Sequence, residues 1–239
     1  MSYFESRLKV DFGNLTELEK KLKLCERLGI KNIILEPCCE VKKIKQEIKQ
    51  KIKEITSINV YYRINLLVET IKDFKNKIKF YNNCLEIISI ESSNPEVHIL
   101  AARDSRVDLI SFANIKLIKS LSKGILSLVK QNNSFIEFTL TPIMDRNKSY
   151  QSKAIRNLFR ALQLVLNSKS NYIISGNFSN LYDLRHPRAL VSICNTLIGI
   201  SLSEAKKAFS DNVLCLINRA QNRHDKYLFE EGVRLIKGD

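Results

Sequence analysis

Short β-branched runs alternate with longer stretches of helical period along most of the chain, and the two periods assign the elements. Strands are expected at 8–12, 30–35, 59–66, 85–90, 107–112, 134–140 and 171–175. Between them apolar residues recur three and four apart: Leu18, Leu22, Cys25 and Leu28; Val41, Ile44, Ile48, Ile52 and Ile55; Ile71, Phe74 and Ile78. The spacing continues through Ile118, Leu121, Ile125, Leu128 and Val129, and through Ile155, Leu158, Leu162 and Val165. Helices are therefore expected from Thr16 to a stop at Gly29, and over 40–55, 69–80, 115–130 and 151–166, with a polar loop at 141–150.

Local signals fix some ends. Thr16 and Glu19 have the spacing of a capping box, and Gly29 that of a C-terminal stop. Asn94-Pro95-Glu96 offers a cap residue, a proline where its missing N–H costs nothing, and a carboxylate at the positive helix end. Near the carboxyl end, 203–208 reads as a helix with serine at its cap, 213–223 as a helix with Arg219 and Arg223 one turn apart, and 231–236 as a terminal strand.

Strands and helices that alternate this regularly predict parallel βαβ units with right-handed crossovers. About eight such units suit one α/β domain over 1–239, a TIM-barrel-like (β/α) barrel. An open doubly wound sheet is the competing architecture. Its Gly-rich first turn is missing, since Gly13 stands alone and the chain has only seven glycines.

Thirty-nine Lys and Arg against 25 Asp and Glu leave a net charge of +14. That favours a polyanionic partner over an acidic small substrate, and would also suit a membrane surface or an acidic protein. The lysines of the 40–55 helix have Glu40, Glu47 and Glu54 beside them, so they read as a solvated face, with RNA contact the alternative. The amino end lacks a basic region followed by an apolar core, and the weakly polar run 189–202 is too short to span a bilayer. A cytoplasmic protein without a membrane segment is expected. Six cysteines, at 25, 38, 39, 84, 194 and 215, lack metal-ligand spacing and read as buried free thiols.

The most informative stretch is Ala101-Ala102-Arg103-Asp104-Ser105-Arg106-Val107-Asp108, where a helix hands over to the 107–112 strand. Either Arg103 with Asp104 and Arg106 with Asp108 form a salt-bridged corner, or the two guanidinium groups hold RNA phosphates. A second stretch is Ile173-Ile174-Ser175-Gly176, followed by Asp183-Leu184-Arg185-His186-Pro187-Arg188. There, either Arg185 and Arg188 each take a phosphate oxygen pair, or Pro187 starts a helix with Arg188 outside. Together the two stretches resemble the archaeal ribonuclease P protein component 3 family, with its Ala-Arg-Asp-Ser-Arg-x-Asp-like turn and later Ser-Gly and Arg-x-Pro-Arg elements. The resemblance runs from about Lys9 to about Ile236.

The resemblance implies a barrel related to that of metal-dependent phosphoesterases, serving as a non-catalytic subunit that supports ribonuclease P RNA in removing the 5′ leader of precursor tRNA. The implied partners are that RNA, precursor tRNA through the holoenzyme, and protein component 2, with components 1 and 4 in the full complex. No cofactor is expected on this chain; Mg²⁺ would be used by the RNA. The RNA-binding candidates are Arg103, Arg106, Arg185, His186, Arg188, Arg219 and Arg223. The alternative is a stand-alone metal-dependent phosphoesterase, which needs His, Asp and Glu clustered at strand ends. The three histidines, 98, 186 and 224, are dispersed, and Lys9 stands where the related phosphoesterases open with His-x-His, leaving Asp11. No catalytic or metal-ligating residue is therefore assigned.

Overall fold

In a computed structural model, which describes residues 2–223, 228–230 and 233–234, β1 (Phe4–Val10), α1 (Leu15–Arg27) and β2 (Asn32–Pro37) open the chain. There follow α2 (Gln46–Ile55), β3 (Asn59–Leu67), α3 (Ile71–Ile78), β4 (Ile87–Glu91), α4 (Pro95–Arg103) and β5 (Leu109–Phe112). Next come α5 (Ile115–Ile118), α6 (Lys123–Gln131), β6 (Phe135–Thr139), α7 (Lys148–Ser168) and β7 (Tyr172–Ser175). Three helices, α8 (Pro187–Thr196), α9 (Leu202–Ala208) and α10 (Asp211–Asn222), precede a small antiparallel pair, β8 (Leu228–Glu230) and β9 (Val233–Arg234).

β1 to β7 form one parallel sheet in sequence order, as the alternation required. The sheet curls until its edges meet: Lys9 N–H donates to the Phe178 carbonyl at 2.8 Å, and Phe178 N–H to the Arg7 carbonyl at 3.2 Å. A single bridge at Leu8 and Phe178 thus stands where an eighth strand would close the ring, giving a nearly closed (β/α) barrel. α10 covers the amino-terminal mouth. Its Val213, Leu216, Ile217 and Ala220 pack with Phe4, Ile34, Ile87, Leu109, Phe135 and Ile173 in a core separate from the larger one under the outer helices. No helix among the described residues is long and apolar enough to cross a membrane.

Several expected ends move, each for a local reason. The first strand is Phe4–Val10, not 8–12, because its polar residues face the barrel interior and hide the alternation. Asn14, not Thr16, caps α1, accepting from Glu17 N–H at 3.1 Å. The helix expected over 40–55 starts only at Gln46, and Tyr81 ties down the preceding segment by donating to the Val41 carbonyl at 3.0 Å. The 115–130 helix breaks where Ser122 caps a new start, and Ser201, not Ser203, caps α9. Of the cysteines, Cys25, Cys84 and Cys194 are buried as expected, but Cys38, Cys39 and Cys215 are exposed. The terminal strand expected over 231–236 is described only at Val233–Arg234, where it pairs with β8 outside the barrel.

Candidate nucleic-acid interface and the charged barrel interior

Asn94 accepts from Glu96 N–H at 2.9 Å, so α4 begins as its cap, proline and carboxylate dictate. At the other end Arg103 is exposed, while Arg106 folds back. Its Nε and Nη2 donate to Asp104 at 2.8 and 2.6 Å, and its Nη1 to Asn82 at 2.8 Å. Burial works against the charge on Asp104, but the Arg106 guanidinium holds its carboxyl below the usual range. The corner is therefore salt-bridged by Arg106 and Asp104; among the described residues neither expected pairing, Arg103 with Asp104 or Arg106 with Asp108, forms.

Asp108 is fully buried and turns toward α10 instead. Arg223 Nη1 lies 2.7 Å and Arg219 Nε 3.5 Å from its two oxygens. Arg223 also donates to the carbonyls of Arg106, Cys84 and Glu86, and Arg219 to those of Asn132 and Val107. Of the candidates, then, Arg106, Arg219 and Arg223 come together at the amino-terminal rim, where the guanidinium groups of Arg219 and Arg223 fasten α10 over the mouth and that of Arg106 closes the α4–β5 corner.

The second stretch divides similarly. Ser175 donates to Glu137 at 2.6 Å, and Gly176 N–H to Glu5 at 3.1 Å, so the Ser-Gly element belongs to the barrel's closure. A Cβ on Gly176 would overlap the Phe178 ring, which needs this residue bare. Arg185 returns its Nη1 to the carbonyls of Tyr182 and Leu184. His186 caps α8, its Nδ1 accepting from Arg188 N–H at 3.2 Å, with Pro187 as the first helical residue. Pro187 thus starts a helix with the exposed Arg188 outside.

The residues that sequence reasoning missed lie inside the barrel. Arg7 grips Glu36 with Nε and Nη2 at 2.9 and 3.0 Å, and reaches Glu91, Ser111 and Glu137 as well. Arg63 holds Glu137 with two bonds of 2.8 and 2.9 Å, donates to Ser89 at 2.9 Å, and places Nε 3.0 Å from Glu36. Burial opposes the charge on Glu137, yet Arg63 and Arg7 bring its carboxyl down to about 2. Glu5 is the exception: with one oxygen lacking a hydrogen-bond partner among the described residues, burial pushes its carboxyl up to about 8. The signal was present, as one polar residue interrupting each of several apolar runs, such as Glu137 in Phe135-Ile136-Glu137-Phe138.

Glu36, Glu91 and Glu137 are each engaged by a guanidinium, and Lys9 Nζ lies 3.9 Å from Glu36. Asp11 is exposed and accepts from Gly13 N–H at 2.8 Å. His98 is buried edge-on to Phe112, and burial lowers its pKa to about 4, leaving a neutral ring. His224 lies outside the described residues. Among the described residues, no three His, Cys, Asp or Glu side chains are grouped to hold a metal ion.

The fold and interior define a β/α-barrel protein whose charged core is spent on its own cohesion. The family model described as RNase P subunit p30 matches residues 6–225, and the chain belongs to that family. By family it is a barrel-fold protein subunit of ribonuclease P, and the stand-alone phosphoesterase reading is not favoured. Its relatives include ribonuclease P protein component 3 of Methanocaldococcus jannaschii, 22% identical over 80% of this chain and 83% of that one. The counterpart from Methanothermobacter thermautotrophicus is 20% identical, over 69% of this chain and 66% of that one. A chain from a cryo-EM structure of archaeal ribonuclease P with mature tRNA superposes with a TM-score of 0.80 at 19% identity, covering 98% of this chain and 99% of that one. An organophosphorus hydrolase from Deinococcus radiodurans shares the barrel at a TM-score of 0.55 and 9% identity, over 89% of this chain and 92% of its own.

Proposed function

We propose that the chain is a non-catalytic, RNA-binding subunit of ribonuclease P that supports the catalytic RNA during 5′-leader removal from precursor tRNA. The observation that carries this reading is the neutralised interior. Arg7 and Arg63 engage Glu36, Glu91 and Glu137, so the bulk of the +14 surplus is left to the outer surface, where a polyanion meets it. Phosphate contacts position a folded RNA without reading its sequence, which suits a basic protein with no base-reading motif. The exposed Arg103 and the Arg185 turn are the groups we assign to RNA. The Mg²⁺ of the reaction belongs to the RNA, and component 2, with components 1 and 4 in the full complex, supplies the protein partners in the cytoplasm.

The test is the salt dependence of binding to ribonuclease P RNA. Arg103→Ala with Arg185→Ala should weaken binding and flatten the slope of log K against log salt by roughly 0.7–0.9 for each phosphate that is no longer neutralised. Lys51→Ala with Lys53→Ala, on the exposed side of α2, removes equal charge and should cost less. Equal losses in both double variants would assign the binding to diffuse charge.

A further inference from the structure

Pro187, Val191 and Leu202, together with the ring of Tyr3, line a cleft of about 410 Å³ between α8 and α9. Arg188 and Lys206 flank it, one from each helix, and no carboxylate lines it among the described residues. The acidic residue of α9, Glu204, is already engaged, accepting from the Tyr172 hydroxyl at 3.2 Å and lying 3.5 Å from Lys207. Leu202 is 48% exposed, and Leu197, at the end of α8, 54%. The cleft thus sets apolar side chains, among them the exposed Leu202, beside two cations.

We propose that this cleft docks an amphipathic helix of a partner protein, with apolar side chains in the cleft and carboxylates over Arg188 and Lys206. Charge complementarity selects the acidic partner, and the apolar floor selects protein over nucleic acid. A phosphate backbone would satisfy the two cations but leave Val191 and Leu202 wet. Tyr3, the one aromatic residue that lines the cleft among the described residues, already stacks on Phe209 at 5.3 Å between ring centres, so a run of stacked bases finds no series of rings there. Helix-in-groove recognition uses such a floor, reading apolar anchors three and four residues apart. The His186 cap and Pro187 fix the start of α8, so one wall is formed before the partner arrives and little ordering is left for binding. The inference goes beyond the RNA-supporting role and uses neither arginine assigned to RNA above.

The experiment titrates the full chain, by fluorescence anisotropy, into three labelled probes. One is a helical peptide of about 15 residues with leucines along one stripe and glutamates beside it. The second carries lysine for each glutamate, and the third is an oligouridylate of matching charge. The acidic peptide should bind, and its affinity should fall about tenfold or more in Leu202→Asp and in Arg188→Glu with Lys206→Glu, as for anchor residues and close charge pairs. All three positions are exposed, so unfolding temperatures should stay near that of the parent. The charge-reversed variant should gain affinity for the basic peptide, which a folding defect would not produce. Acidic-peptide binding that is absent, unchanged in both variants, or no stronger than that of the basic peptide would overturn the proposal. Oligouridylate that outcompetes the acidic peptide and ignores Leu202→Asp would assign the cleft to nucleic acid.

Discussion

The Arg7–Glu36–Arg63–Glu137 cluster sets the behaviour of individual residues. Removing one partner of a buried pair strands the other without water, so Arg63→Ala should destabilise by about 3–5 kcal/mol. Urea unfolding monitored by circular dichroism measures this, and a loss below about 1 kcal/mol would show that the pair is dispensable. Glu5 behaves in the opposite sense. Its folded pKa is about 8, against about 4.3 when unfolded. Between those values the folded state holds a proton that the unfolded chain has released, so stability should fall as pH rises through this window. Glu5→Gln keeps an oxygen for the Arg7 and Gly176 N–H groups and cannot ionise. Its unfolding temperature should therefore fall less than the parent's between about pH 5 and pH 8; parallel curves would assign the trend to other groups.

At the scale of elements, α10 is held both by its apolar face and by Arg219 and Arg223. Arg223→Ala removes donors from Asp108 and from three carbonyls, and should destabilise by several kcal/mol, at about 1.5–3 kcal/mol per bond to a charged group discounted for sharing. It should also speed amide exchange in α10 before the sheet. RNA affinity that drops with stability unchanged would instead return Arg223 to the binding surface. The seven strands were legible in the sequence because β-branched runs between amphipathic stretches have few other uses. The clamp was not. Spacing shows that Arg219 and Arg223 share a helix face, but which face meets the barrel depends on Val213, Leu216 and Ile217 reaching across to strands far away in sequence. Helix starts failed where several polar residues competed for the cap, as with Asn14 against Thr16.

For the whole molecule, the division of charge is the feature that matters. Inside, Arg7 and Arg63 hold Glu36, Glu91 and Glu137; the bulk of the positive surplus is left outside. The family was legible from two short arginine-bearing stretches, yet those stretches prove to be largely architectural, at the α4–β5 corner, the Ser175-Gly176 closure and the α8 cap. Sequence resemblance marks residues that the family needs without saying whether folding or binding needs them. The measurement that tests the central claim most directly is single-turnover cleavage of precursor tRNA by ribonuclease P RNA, reconstituted with its other protein components, with and without this chain. The complete assembly should cleave faster and at lower Mg²⁺ than the assembly lacking it, and the chain alone should leave the substrate intact. Cleavage by the repurified chain alone, or identical rates with and without it across the Mg²⁺ range, would contradict a non-catalytic supporting role.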